Sequence, residues 1–124
     1  MRKYVGVLPL LISAALAACN SGTVVCAASI TPPILVEVRD RTTGAPAAQG
    51  AGGWIKKGTF TSPLFPAQPS EPLVLASEGG PGFYEVVVQK TGYSTWTKNG
   101  VWVQGGKCGV DKSVVLKADL QPSA

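Results

Sequence analysis

Residues 83–120 read FYEVVVQKTGYSTWTKNGVWVQGGKCGVDKSVVLKADL and hold the densest strand-like alternation in the chain. From 83 to 90, Tyr84, Val86 and Val88 fall on one face and Glu85 and Gln89 on the other. That is the period of two imposed by a pleated strand. Thr91-Gly92-Tyr93 turns the chain. Residues 94–104 are strand-like throughout, with Asn99-Gly100 inside them. Asn-Gly between alternating segments marks a tight hairpin in many sheets; here a bulge or short loop is the other reading. After Gly105-Gly106, residues 112–120 place Val114, Leu116, Ala118 and Leu120 opposite Lys117 and Asp119.

The same periodicity extends toward the N-terminus. Thr31-Pro32-Pro33 blocks a helix and sets an extended approach. In residues 34–40 (ILVEVRD), Ile34, Val36 and Val38 oppose Glu37 and Arg39, which makes a strand with one face in the core. Residues 40–46 (DRTTGAP) have turn chemistry: Asp40 for local backbone bonding, Gly44 for positive φ and Pro46 to fix the exit. Residues 47–58 carry four glycines, which weaken a strand, although 52–56 can resume one after a bulge. Residues 60–72 contain four prolines and read as a long loop with a short extended piece at 60–64. A loop of this length is either a site or a plain surface connection. Residues 73–77 (LVLAS) make a short strand before Gly79-Gly80-Pro81-Gly82. No helical period is sustained after residue 19. About seven short strands with regular turn signals predict an all-β sandwich or small barrel.

The N-terminal segment belongs to targeting rather than to the fold. Arg2 and Lys3 precede an uncharged apolar run from 5 to 18. That run falls short of the about twenty residues that span a bilayer. Leu16-Ala17-Ala18-Cys19 resembles a bacterial lipobox. The resemblance implies cleavage before Cys19, a diacylglyceryl group on its sulfur and acylation of the new amine. Ordinary cleavage at Ala15-Leu16-Ala17, leaving a free thiol at Cys19, is the competing reading. The expected division is a signal peptide over 1–18, lipidated Cys19 with a tether over 19–30, and a β domain over 31–121. The implied location is the cell envelope, anchored through lipid. Asn20 after the lipid cysteine resembles the enterobacterial signal that permits transfer to the outer membrane.

There are three cysteines in total. An odd cysteine in an exported chain needs an explanation. If Cys19 carries lipid, Cys26 and Cys108 remain as a pair, and an oxidising compartment favours their disulfide.

The chain has no histidine, which removes the commonest general base and the commonest metal ligand. The acidic residues lack the Asp-x-Asp-x-Asp spacing of a calcium loop. The glycine clusters lack the Lys-Ser/Thr of a phosphate loop. No catalytic residue, metal or cofactor is expected. Formal net charge is +4, and removal of Arg2 and Lys3 leaves +2. Without a concentrated basic stripe, nucleic acid is not an expected partner.

The tryptophans are the one candidate binding surface. If residues 94–104 are continuous, Trp96 and Trp102 share the polar face with Lys98 and Gln104, while Val101 and Val103 enter the core. Exposed tryptophans stack on sugar rings or anchor protein interfaces. An irregularity at Asn99-Gly100 instead flips the parity and buries one of them. Trp54 is expected in the core or as a lid over it.

Three segments together carry a resemblance. Residues 36–46 (VEVRDRTTGAP) resemble the opening strand and turn of carboxypeptidase regulatory-like domains, with their V-x-V-x-D and T-G-x-P patterns. Residues 82–93 (GFYEVVVQKTGY) resemble the second signature: Gly-x-Tyr, an alternating strand, then Gly-Tyr. Cys108-Gly109-Val110 before an alternating final strand resembles small bacterial lipoproteins with this domain; Gly109 stands where many of those carry histidine. The likeness spans roughly 26–120, with the middle unmatched. It implies a transthyretin-like seven-stranded sandwich without enzyme activity, since in metallocarboxypeptidases this domain accompanies the catalytic one and holds none of its active site. A structural or protein-interaction role in the envelope is the leading expectation, and carbohydrate binding through Trp54, Trp96 and Trp102 is the alternative.

Overall fold

The computed structural model describes Cys26 and residues 30–123. The expected signal segment, Cys19 and the expected tether apart from Cys26 and Ile30 lie outside the described residues. Within them the chain is all-β, with ten strands and no helix.

The strands are β1 (Ile34–Asp40), β2 (Gly52–Lys57), β3 (Phe60–Pro63), β4 (Phe65–Pro66), β5 (Val74–Ala76), β6 (Gly82–Gln89), β7 (Trp96–Val103), β8 (Gly105–Gly106), β9 (Gly109–Val110) and β10 (Val114–Leu120). Three of them, β4, β8 and β9, are two residues long. The sequence expectation of seven strands missed these pieces because two residues are too few to show a period.

One sheet has the order β10-β1-β5-β4 and the other β3-β2-β6-β7; β8 and β9 form a separate ribbon. The first and last long strands run parallel, with Ile34 opposite Val114 and Asp40 opposite Leu120. The remaining strand pairs in both sheets are antiparallel. Alternation decides which side faces inward. Ile34, Val36 and Val38 of β1, Leu75 of β5 and Leu116, Ala118 and Leu120 of β10 meet Ile55 of β2, Tyr84, Val86 and Val88 of β6 and Val101 and Val103 of β7 in one buried cluster. Two sheets sharing one core make a β-sandwich.

The turn after β1 forms as its residues dictate. The Asp40 carboxylate accepts from the backbone N–H of Thr42 at 2.7 Å and of Thr43 at 3.0 Å. Gly44 supplies φ of 77°, and its N–H donates to the Asp40 carbonyl at 2.8 Å.

Register places the loops at two ends. Ile34, Ala76, Gly82, Val103 and Val114 lie toward one end, with residues 77–81 and 104–113 beyond them. Asp40, Gln89, Trp96 and Leu120 lie toward the other. A disulfide joins Cys26 to Cys108, with Cα atoms 5.4 Å apart across 82 positions of sequence. It therefore fixes the chain before β1 to the connection before β10. We call this the cystine end, and the opposite one the turn end.

Candidate functional site

The residues singled out for binding lie on sheet β3-β2-β6-β7, and one irregularity governs their placement. Tyr84 pairs with Val101, but Val86 pairs with Lys98, so Asn99 and Gly100 together face Glu85. Asn99-Gly100 is thus a β-bulge rather than a hairpin. Gly100 has φ of 66°, in the region glycine enters without steric cost.

The bulge reverses parity along β7. Trp96 pairs with Val88, and Val101 with Tyr84, all on the core side. Trp96 is half-buried and packs against the core. The expectation that Trp96 and Trp102 share the polar face assumed a continuous strand. With the extra residue the two point to opposite sides, because each added residue rotates the pleat by half a period.

Trp102 lies on the outer face opposite Phe83. Their ring centroids are 4.7 Å apart at an interplanar angle of 48°. Both stay open to solvent, Phe83 at 64% and Trp102 at 52%. Phe83 was missed as a candidate although it shares parity with Glu85 and Gln89, and that is the signal that could have found it.

Trp54 pairs with Val87 and Pro63 on the same outer face and is half-buried. It covers Val87, which is buried at 6% exposure despite facing outward. Trp54 is thus a lid, but over the outer face and not over the core. Standard strand spacings put Trp54 and Trp102 roughly 16 Å apart, too far to clamp one ring between them. The three tryptophans therefore do not converge.

The cystine end holds the other exposed hydrophobic groups. Val115, Leu35, Ala76 and Phe65 form a row across the outer face of the β10-β1-β5-β4 sheet. Beside Phe65 a cleft of about 450 Å³ is lined by Ile30, Pro32, Ala67, Ala76 and residues 77–79. Four polar side chains of this end bond backbone carbonyls, while Glu78, Lys107, Asp111 and Lys112 stay exposed. Ser77 Oγ donates to the Ile34 carbonyl at 2.7 Å and accepts from its N–H at 3.2 Å. Ser113 Oγ donates to the Pro32 carbonyl at 2.6 Å. Tyr84 donates to the Gly80 carbonyl at 2.7 Å, and burial pushes the Tyr84 phenol above its usual range. Lys57 Nζ donates to the Pro81 carbonyl at 2.8 Å and lies over the Tyr84 ring at 5.5 Å.

The turn end is organised around Asp40 and Tyr93. The Tyr93 hydroxyl donates to Asp40 Oδ2 at 2.7 Å. That bond and the two threonine N–H groups hold the Asp40 carboxyl below its usual range, and the same carboxylate raises the Tyr93 phenol. The arrangement is a stable acceptor cluster with no free nucleophile. Among the described residues no group of three or more His, Cys, Asp or Glu side chains could hold a metal ion. No protein-family model matches the chain, and no curated protein matches it.

Proposed function

We propose that this is a non-enzymatic, lipid-anchored envelope protein whose sandwich serves as a structural or protein-interaction module. The observation that carries the reading is the Cys26–Cys108 disulfide. It accounts for two of the three cysteines and leaves Cys19, in Leu16-Ala17-Ala18-Cys19, without a partner among them. Lipid on that sulfur explains the odd cysteine of an exported chain. Several acyl chains, at roughly 0.8 kcal/mol per buried methylene, make a stable anchor. The absence of histidine supports a role other than catalysis.

We also propose a transthyretin-like domain of the carboxypeptidase regulatory-like kind. What supports it is that the two signature segments meet in space. Asp40, within the first, accepts a hydrogen bond from Tyr93, which ends the second. The T-G-x-P turn places its glycine at positive φ. Such a likeness bears on the fold more than on the role.

The anchor is tested by replacing Cys19 with Ser. The expected outcome is release from the membrane fraction and loss of the acyl mass. Unchanged fractionation and mass would overturn it. Carbohydrate binding remains a second reading because Phe83 and Trp102 form an exposed aromatic pair. Their 48° tilt makes a wedge instead of one flat stacking platform, which places this reading second. A glycan panel with Trp102→Ala as control decides it, and a silent panel removes it.

A further inference from the structure

We infer that the cystine end is a lipid-contacting tip, so that the domain stands end-on at the bilayer with its exposed apolar side chains at the headgroup boundary. The inference rests on the lipid-anchor reading and adds to it a contact surface and an orientation.

Location is the first argument. Among the described residues the large hydrophobics most exposed are Ile30, Phe60, Phe65, Phe83, Trp102 and Val115, at 37–84%. All six lie toward the cystine end. Phe83 and Trp102 pair one step from Gly82 and Val103. Val115 is one step from Val114, and Phe65 pairs with Ala76. Phe60 begins β3 and approaches Gly79, and Ile30 and Phe65 share the cleft. No residue of the turn end belongs to the set.

Distribution selects the occupant. Phe83 and Trp102 project from the outer face of one sheet, while Val115 and Phe65 project from the outer face of the other. These faces point away from each other, with the core between. A flat protein partner or a second copy of this chain covers one face and leaves the other in water. A soft medium that surrounds the end covers both, and a bilayer interface is such a medium. Trp suits it, since its ring is apolar while its N–H stays wet, and Phe adds apolar area to the buried side.

Chain geometry brings the tip to the lipid. Cys26 lies seven positions after Cys19, so an extended tether spans at most about 25 Å. The disulfide pins the end of that tether at Cys108. An anchored tip meets the surface at an effective concentration in about the millimolar range, so weak contact suffices to orient it. Lys57, Lys107 and Lys112 against Glu78 and Asp111 leave this end without the acidic surplus that anionic headgroups repel.

The chain carries its own depth gauges. Trp96 and Trp102 lie six positions apart on β7, roughly 17–20 Å along the strand. Full-length lipoprotein is reconstituted into phosphatidylethanolamine–phosphatidylglycerol vesicles with brominated acyl chains, in three forms that retain only Trp54, Trp96 or Trp102, the others being Phe. Flotation reads the anchor, and quenching reads the tip. The expected result is flotation of all three, with quenching of Trp102 and little of Trp54 or Trp96. Flotation with Trp102 unquenched overturns the tip and leaves the anchor standing. Quenching of Trp96 as strong as that of Trp102 overturns the end-on orientation. Failure to float removes the anchor, and the tip is then decided by the Cys19→Ser protein titrated with the same vesicles. Quenching of Trp102 there, weakened about tenfold or more in apparent affinity by Phe83→Ser, supports the tip; no quenching overturns it. Phe83 is 64% exposed and outside the core cluster, so its replacement leaves the fold intact.

Discussion

The two ends of this sandwich close in different ways. At the turn end, polar groups face one another across the surface. Asp40 gathers Thr42, Thr43 and Tyr93, Ser94 N–H donates to the Gln121 carbonyl at 2.8 Å, and Ser123 N–H donates to the Gly92 carbonyl at 2.9 Å. The loops and the last described residues are tied by hydrogen bonds, and none of the exposed large hydrophobics among the described residues lies at this end. At the cystine end, Ser77, Ser113, Tyr84 and Lys57 spend their polar atoms inward on backbone carbonyls. The large apolar side chains that stay exposed lie at this end, among exposed charged residues such as Glu78, Lys107, Asp111 and Lys112, and the segment before β1 is held by a covalent bond. One end is finished against water. The other leaves large apolar side chains open to water.

The largest test of this contrast is the covalent bond. Replacing Cys26 and Cys108 by Ser frees a loop that closes across 82 positions. In the chain-entropy picture this costs on the order of 4–5 kcal/mol, which a denaturant titration with and without the substitutions measures. A much smaller loss would show that the cystine end is held by its hydrogen bonds and not by its crosslink.

Next in size is the bulge that separates the tryptophans. Gly100 has φ of 66°, and a Cβ there would meet nothing within 4 Å. The cost of Gly100→Val is therefore mainly conformational, about 1–3 kcal/mol for a β-branched residue in that region. Thermal unfolding checks it, and Trp96 emission should move toward that of exposed indole if the parity is lost.

Tyr84→Phe removes one hydrogen bond at the cystine end and leaves the Gly80 carbonyl without its donor. The expected loss is about 1 kcal/mol in denaturant unfolding. Because the Tyr84 phenol sits above its usual range, folding favours its neutral form. That contribution is full below the unfolded pKa and disappears as pH rises through the folded one.

The turn end responds in acid. The Asp40 carboxyl is held below its ordinary range, first by Tyr93 and then by the backbone of Thr43. Its contribution is present above the unfolded carboxyl pKa and is lost as pH falls through the lower folded value. Melting temperature measured down through that window should fall more steeply in the wild type than in Asp40→Asn. Equal slopes would mean that the cluster positions the turn without stabilising it.

The smallest stability effect belongs to the exposed apolar set. Phe83→Ser should change unfolding free energy by about 1 kcal/mol or less, since only its pairing with Trp102 is lost. A larger loss would make Phe83 a structural residue and would weaken the reading of the cystine end as an open contact surface.

The sequence by itself determined the longer strands and most of their inward faces. Alternation at Ile34, Val36 and Val38, at Tyr84, Val86 and Val88, and at Leu116, Ala118 and Leu120 names core residues because a pleat has a strict period and water excludes one side of it. It also pointed to the Cys26–Cys108 pair, on the expectation that the chain is exported and that Cys19 carries lipid. Tertiary structure alone decided three things. It made Asn99-Gly100 a bulge rather than a hairpin, because that choice depends on whether β6 continues past it, and this sent Trp96 and Trp102 to opposite sides. It placed β1 parallel to β10, a pairing across about eighty residues that no local pattern encodes. And it brought Ile30, Phe60, Phe65, Phe83, Trp102 and Val115 to one end. Each is an ordinary apolar residue in its own segment; five sit on five different strands and Ile30 precedes β1, so only the register of the two sheets brings them to one end.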